Sequence, residues 1–352
     1  MTQGINVAEV TKWLVDHVDG LTAPLTFDLI SGGRSNLTFG VTDAAGRKVV
    51  LRRPPISHVL STAHDMGREY RVISALRDTP VPVPAALAFC TDESVNERSF
   101  YVMGFVDGHV LRGEAETEAT LDEAARRAVA EDLVDVLVAI HQVDVDTVGL
   151  GDFARRDGYV QRQLRRWHGQ FELSQQQARE VGVYRPVPLV DDVHRLLAER
   201  VPEQYGTSLV HGDYRLDNTI VSAGGKVQAV LDWELSTLGD PLADVGTFLS
   251  YWAEQAGHAP EAPTTMAQVA ATALPGFPSR GELAERYATR SGRDLTNLGF
   301  YLAFAYWKLA CIMEGVFVRY AAKAMGGDGS DAELLGQGVE DRARRALEAL
   351  QA

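Results

Sequence analysis

Cysteine is almost missing from this chain of 352 residues: Cys90 and Cys311 are the only two, and they stand far apart. So sparse a supply excludes a disulfide framework and any zinc site with readable ligand spacing, and a reduced, cytoplasmic setting is the matching expectation. Basic charge is also short. The 34 Lys and Arg face 48 Asp and Glu, for a formal charge of −14. That balance excludes nucleic acid or an anionic membrane surface as the main partner, because phosphate binding needs clustered cations. The opening MTQGINVAEVTKW has neither the basic start nor the apolar stretch of a signal peptide. No internal repeat, low-complexity tract or strand–G-x-G-x-x-G–helix fingerprint occurs, which excludes a dinucleotide-dependent dehydrogenase. One run, Leu298 to Val318, is apolar enough to suggest a membrane span. Lys308 and Glu314 near its middle are costly in lipid, so a buried helix is expected instead. What the chain does have is a 45% apolar fraction, enough for a core and too much for a disordered polymer.

The pattern changes near residue 110. Before it, short β-rich runs dominate, at Leu25–Ile30, Leu37–Val41, Lys48–Arg52, Ala85–Phe89 and Phe100–Phe105, with polar or Gly-rich turns between them. One helix interrupts them, from about His58 to Arg77, striped by Met66, Tyr70, Ile73 and Arg77 and stopped by VPVPA. After residue 110 the periodicity is helical, as at Leu133, Val136, Leu137 and Ile140. A β-hairpin is expected next, with Ser208–Val210, Thr219–Val221 and Val227–Leu231 as its strands and Ala223-Gly224-Gly225 as the turn between the last two. MGGDGSD, Met325–Asp331, reads as a loop before a charged last helix. The expected fold class is α+β: a small antiparallel β-sheet lobe with one main helix over 1–105, a linker over 106–110, and a large, mostly helical lobe over 111–352.

Two stretches concentrate chemistry: LVHGDYRLDNTIV, residues 209–221, and AVLDWELSTLGDPLADVG, residues 229–246. Asp213 and Asn218 stand five apart on a loop between strands, and Asp232 follows fourteen residues later at the end of the returning strand. Oxygen-only ligands of this kind suit Mg²⁺, a hard cation that keeps waters and bridges phosphates. A carboxylate left over from metal binding can orient or deprotonate an attacking hydroxyl.

H-G-D-x-x-x-x-N followed by L-D-W resembles the aminoglycoside phosphotransferase-like kinases, relatives of choline kinase with a protein-kinase-like two-lobed fold. GDPLADVG and SGGRSN are most similar to the branch found fused to acyl-CoA dehydrogenases, and the likeness runs from about Phe27 to Arg319. The resemblance implies ATP and Mg²⁺ as cofactors. It implies that Asp213 is the catalytic base and that Asn218 and Asp232 are the metal ligands. His211 is expected to pack the loop, Asp217 to be solvated or paired with an Arg, and Asp240 or Asp244 to hold the loop and cap a helix. Gly32, Gly33, Ser35 and Asn36 match the loop that covers ATP, where glycines let backbone amides approach phosphate. Phe105 and Val106 match the adenine-binding linker. Arg52 stands where the family has a phosphate-bridging Lys, with Lys48 and Arg53 as rivals. Glu69 lies three after Met66 and four before Ile73, on the inward side of its helix, where a carboxylate needs a cation. Arg52 is the expected partner, and Arg68 or Arg71 the surface alternative.

The acceptor side is the least legible. Candidates are Arg162, Arg166, Trp307, Lys308 and Glu314, with Tyr159 and Arg319 beside them. Arg162, Arg165, Arg166 and Trp167 form a basic, aromatic patch that could meet an anionic substrate such as a CoA ester; a solvated helix face is the plainer alternative. The expected function is ATP- and Mg²⁺-dependent phosphorylation of a small-metabolite hydroxyl, of hydroxyacyl-CoA type. The alternatives are aminoglycoside resistance and a nucleotide-binding pseudokinase regulator, the latter suggested by Arg52 in the Lys position. Nothing in the chain selects ATP over GTP or gives an oligomeric state.

Overall fold

Strands β1 (Thr26–Ser31), β2 (Leu37–Thr42), β3 (Lys48–Arg53), β4 (Ala86–Cys90) and β5 (Phe100–Gly104) form one antiparallel sheet in the order β1-β2-β3-β5-β4. Each lies within one residue of its expected bounds. The computed structural model describes residues 4–31, 36–55, 65–253, 267–322 and 330–351. Gly32, Gly33 and Ser35, the first part of the helix expected from His58, and the loop from Met325 to Gly329 lie outside the described residues.

Alternation along β3 divides its side chains between two covered faces. Helix α1 (Val7–His17) covers one, where the fully buried Val10 and Leu14 join Phe39, Val41, Val49, Leu51, Phe100 and Val102 in one cluster. Each such side chain contributes about 1.5–3 kcal/mol of burial. Helix α1 is not evident from the sequence, where Val10, Leu14 and Val18 recur only every fourth residue over a short segment. The other face meets α2 (Met66–Leu76), whose Met66, Val72, Ile73 and Leu76 share a core with Val50, Tyr101 and Met103. Asp65 caps α2, accepting from the backbone N–H of Gly67 at 2.9 Å and of Arg68 at 3.2 Å. A single turn, α3 (Glu93–Asn96), joins β4 to β5.

The second lobe opens with α4 (Glu114–Thr120), α5 (Glu123–Gln142), α6 (Tyr159–Glu180) and α7 (Pro188–Glu199), then carries four short strands. These are β6 (Ser208–Val210), β7 (Thr219–Val221), β8 (Val227–Val230) and β9 (Thr237–Gly239). Helices α8 (Leu242–Ser250), α9 (Ala267–Thr272), α10 (Arg280–Ser291), α11 (Leu298–Ala321) and α12 (Ser330–Ala349) follow. The most apolar stretch of α11 is 72% buried within the protein, as expected for a core helix.

The strand pairing corrects one expectation. β7 and β8 form the hairpin, with Thr219 opposite Val230, but β6 pairs instead with β9, a strand the sequence reading missed. Residues 211–218 therefore cross from the β6/β9 ribbon to the β7/β8 ribbon, and residues 231–236 cross back. The two motif loops run side by side for that reason. The linker is pinned to the same hairpin: His109 and Val221 exchange backbone hydrogen bonds of 2.8 and 2.9 Å. Gly108 makes this approach possible, since its φ is +144° and a Cβ would lie 2.7 Å from the Val221 carbonyl oxygen.

Candidate active site

Antiparallel register sets Arg52 directly opposite Tyr101, so both side chains leave the sheet toward α2. Both end on Glu69. Arg52 Nε lies 3.1 Å from Glu69 Oε2, and the Tyr101 hydroxyl donates to the same oxygen at 2.9 Å. Arg52 also ion-pairs with Asp232 through its Nη2. Burial would depress the Arg52 guanidinium, but Glu69, Tyr101, Asp232 and Glu234 together hold it well above its ordinary range. The rivals sit elsewhere: Lys48 lies over the exposed Phe105 ring at 5.2 Å, and Arg53 Nε donates to the Pro54 carbonyl at 3.2 Å. Val106 follows Phe105, half-buried, just beyond the end of β5.

The 211–218 loop is fixed from beneath. Asp244 accepts from the backbone N–H groups of His211 at 2.6 Å and Gly212 at 2.8 Å. Burial alone would raise the Asp244 carboxyl, and the hydrogen bonds from His141 and the loop hold it low. Asp240 stands just before α8, accepting from the N–H of its first residue, Leu242, at 3.0 Å and from the Tyr301 hydroxyl at 2.7 Å. His211 packs against Trp233 and bonds the Leu231 carbonyl through Nε2 at 2.9 Å. Asp213 stands on this platform. Its Oδ2 receives Asn218 Nδ2 at 3.0 Å and Arg215 Nε at 3.2 Å. Arg215 also reaches Asp217 at 3.1 Å, and burial pushes the Asp217 carboxyl up to about 6 against that pairing.

Asn218 Nδ2 also donates to the Asp213 carbonyl at 2.8 Å, so its Oδ1 is turned away from Asp213. Leu231 N–H donates to the Asn218 carbonyl at 2.8 Å, which sets the start of β7 beside the end of β8. Asp232 comes next, in a left-handed conformation with φ +65°. One oxygen each from Glu69, Asp232 and Glu234 lies within 4.8 Å of the others. Oxygen donors of this kind suit a hard divalent cation such as Mg²⁺, but Arg52 already pairs with Glu69 and Asp232, so Asp232 with Asn218 remains the pair expected to hold Mg²⁺. Glu234 was missed in the sequence, although a second acid two residues after Asp232 was a usable signal. Asn36 spends its Nδ2 on Glu69 at 3.1 Å and Glu234 at 3.2 Å rather than pointing it at a phosphate.

Burial, then Asp232 and Glu69, push Glu234 up to about 8. The folded protein thus keeps a proton that the unfolded chain releases near the ordinary carboxylate pKa of 4.5. The stability this proton contributes is complete at acid pH and is lost as pH rises through about 8. Thermal melts of metal-free protein in EDTA should show Tm falling over that range and the fall flattened in Glu234→Gln. A wild-type profile as flat as that of the variant would contradict the assignment.

Beside Glu234 opens a cleft of about 520 Å³, lined by Arg68, Arg166, Trp167, Ser236, Ile312 and Arg319 among others. Of the acceptor candidates Arg162, Arg166, Trp307, Lys308 and Glu314, only Arg166 lines this cleft. Helical phase explains the difference. On α6, Gln163, Arg166, Trp167 and Gln170 share the cleft face, while Arg162 donates to the Arg155 carbonyl at 2.7 Å. On α11, Ile312, Gly315 and Arg319 face the cleft. Trp307 and Glu314 fall on the adjacent, core-facing stripe, which corrects their placement. The indole N–H of Trp307 donates to the Val190 carbonyl at 3.0 Å, and Glu314 is held by Gln175 and Arg185, each at 2.7 Å. Tyr159 is likewise buried.

Residues 26–293 match the model of the phosphotransferase enzyme family. The chain belongs to that family. Acyl-CoA dehydrogenase family member 11 of Gallus gallus is 35% identical over 304 residues, covering 82% of this chain and 36% of that protein. This phosphotransferase spans between 27% and 41% of the length of the curated relatives it matches. A crystal structure of a Ralstonia eutropha protein assigned as an aminoglycoside phosphotransferase is 33% identical, with a TM-score of 0.78 and 97% of each chain covered. A thermostable mutant of an aminoglycoside phosphotransferase, solved with AMP-PNP and hygromycin B, shares the fold at 17% identity and a TM-score of 0.54, with 96% of this chain and 98% of that one covered. The phosphotransferase fold described here is thus the protein-kinase-like fold of small-molecule kinases.

Proposed function

We propose that this phosphotransferase moves the terminal phosphoryl group of ATP, held with Mg²⁺, to the hydroxyl of a small anionic metabolite of hydroxyacyl-CoA type. The observation that carries this reading is the cleft beside the Asp232–Glu234 turn, where Arg68, Arg166 and Arg319 outnumber the acids Asp65 and Glu234, although Arg68 also donates to the Phe153 and Ser236 carbonyls. Guanidinium groups pair with carboxylate or phosphate oxygens and make a poor host for a polyamine. Protection of bacteria from kanamycin-like drugs is therefore not expected.

Asp213 accepts the proton of the acceptor hydroxyl as its oxygen forms the new bond to phosphorus and the bond to the ADP oxygen breaks. Arg215 and Asn218 fix the Asp213 carboxylate on one oxygen, which leaves the other for the acceptor. Arg52, steadied by Glu69, holds Asp232 in place and reaches toward the nucleotide phosphates. Bound at Asn218 and Asp232, Mg²⁺ would neutralise charge on the transferred group. The acceptor-cleft arginines orient the anionic substrate. The test is a mixture of hydroxylated metabolites, with and without CoA esters, incubated with Mg·ATP and read by mass for a gain of one phosphoryl group. Phosphorylation of an anionic hydroxy compound is expected with wild type and not with Asp213→Asn. Transfer only to amines or neutral sugars would overturn the acceptor class.

A further inference from the structure

Lys308 lies on α11 one turn inward from Ile312, on the stripe that continues through Gly315 and Arg319 along the cleft. Its side chain is buried, and a buried ammonium is costly without a partner. Among the described residues no carboxylate is within ion-pair reach, although against the burial that lowers its pKa the charges of Asp213 and Asp244 favour the ammonium. Nζ instead donates to the backbone carbonyl of Gly212 at 2.6 Å and faces the Trp167 ring at 5.6 Å.

That carbonyl belongs to the peptide joining Gly212 to Asp213. The N–H of the same peptide meets His211 Nδ1 at 3.3 Å, so both polar ends of one peptide are held. Gly212 has little room to rotate. Its φ is +85°, and a Cβ would stand 2.7 Å from the Leu235 carbonyl oxygen. The platform beneath the loop is already secured by Asp244, and an apolar side chain would fill the Lys308 site at lower desolvation cost. A lysine here is accounted for by the carbonyl it holds, by the Trp167 ring it faces on the cleft wall and by the charge of the loop's own Asp213.

We propose that Lys308 is a positioning residue for phosphoryl transfer: its ammonium fixes the Gly212–Asp213 peptide so that Asp213 meets the acceptor hydroxyl, and ties that peptide to Trp167 on the cleft wall. The inference rests on the kinase reading above.

Wild type, Lys308→Met, Lys308→Arg and Lys308→Ala are compared as whole chains. The probes are Mg·ATP hydrolysis with water as acceptor, titration with a fluorescent ATP analogue, and amide exchange of residues 211–215. Lys308→Met, which keeps the volume and removes the charge, should lower kcat about 10²-fold, the effect of a misplacement near 1 Å. Nucleotide Kd should move by less than about twofold, which separates lost positioning from lost binding. Exchange at 211–215 should rise. Ethylamine added to Lys308→Ala should restore at least about tenfold of the lost rate with Tm unchanged, a response that a purely structural role does not give. Hydrolysis by Lys308→Met within about twofold of wild type, with unchanged exchange, overturns the inference and leaves the kinase reading intact. Loss of nucleotide binding and folding together in every variant, Lys308→Arg included, overturns it as well. A wild type that neither hydrolyses ATP nor phosphorylates any metabolite overturns the kinase reading, and this inference with it.

Discussion

Asp213→Asn is expected to lower phosphoryl transfer about 10³-fold while nucleotide affinity stays within about twofold. The reasoning starts from which oxygen is already taken. Oδ2 receives both the Asn218 amide and Arg215 Nε, at 3.0 and 3.2 Å. An asparagine must put its carbonyl oxygen there, because an NH₂ would face two donors. Its NH₂ then falls where Asp213 offers Oδ1, so a donor replaces the acceptor that the substrate hydroxyl requires. The fold is undisturbed and the substitution is nearly isosteric. The residues toward the nucleotide, Arg52, Glu69 and Asp232, keep their contacts. Turnover and a fluorescent-nucleotide titration on the same preparation separate the two effects. Residual transfer above about a tenth of wild type would remove Asp213 from the role of base.

The residues that were legible in advance are those whose partners are local in sequence or repeat with a fixed period. The five strands follow from short β-rich runs bounded by polar or Gly-rich turns, and Glu69 follows from its helical phase between Met66 and Ile73. Arg52 ranks first over Lys48 and Arg53 by the family resemblance, and the register gives the physical reason by placing it opposite Tyr101 and facing α2. Helix α1 was invisible because its short apolar stripe has meaning only against the sheet face it covers. Strand β9 was missed because three residues carry no periodicity of their own, and its pairing with β6 is a long-range event. The acceptor side was misread at Trp307 and Glu314 for a related reason. An apolar helix with polar residues looks the same from every side until its neighbours fix its rotation, and here α11 turns 308, 312, 315 and 319 one way and 307 and 314 another.

Arg52→Met is expected to destabilise the protein by about 3–5 kcal/mol, the cost of leaving a buried charge without its partner. Among the described residues, Arg52 is the one cation that meets both Glu69 and Asp232, through Nε to the first and Nη2 to the second. Glu69 is almost wholly buried, and burial already raises its carboxyl against the pull of Arg52. Without the guanidinium, Glu69, Asp232 and Glu234 repel one another within one small volume. Folding must then either protonate them or tolerate the repulsion, and losing Arg52 raises Glu234 further, so the variant should be least deficient at acid pH and increasingly deficient as pH rises. Urea melts at pH 5.5 and 8.5 check this, and equal losses at the two values would contradict the electrostatic origin. Arg52→Lys is the more discriminating substitution. A lysine offers one compact ammonium and not a planar fork, so it can satisfy Glu69 or Asp232 but not hold both in the same arrangement. It should therefore recover most of the stability while leaving Mg·ATP affinity reduced. Full recovery of both would mean that the fork geometry of Arg52, the feature that departs from the Lys of its relatives, has no part in placing Asp232.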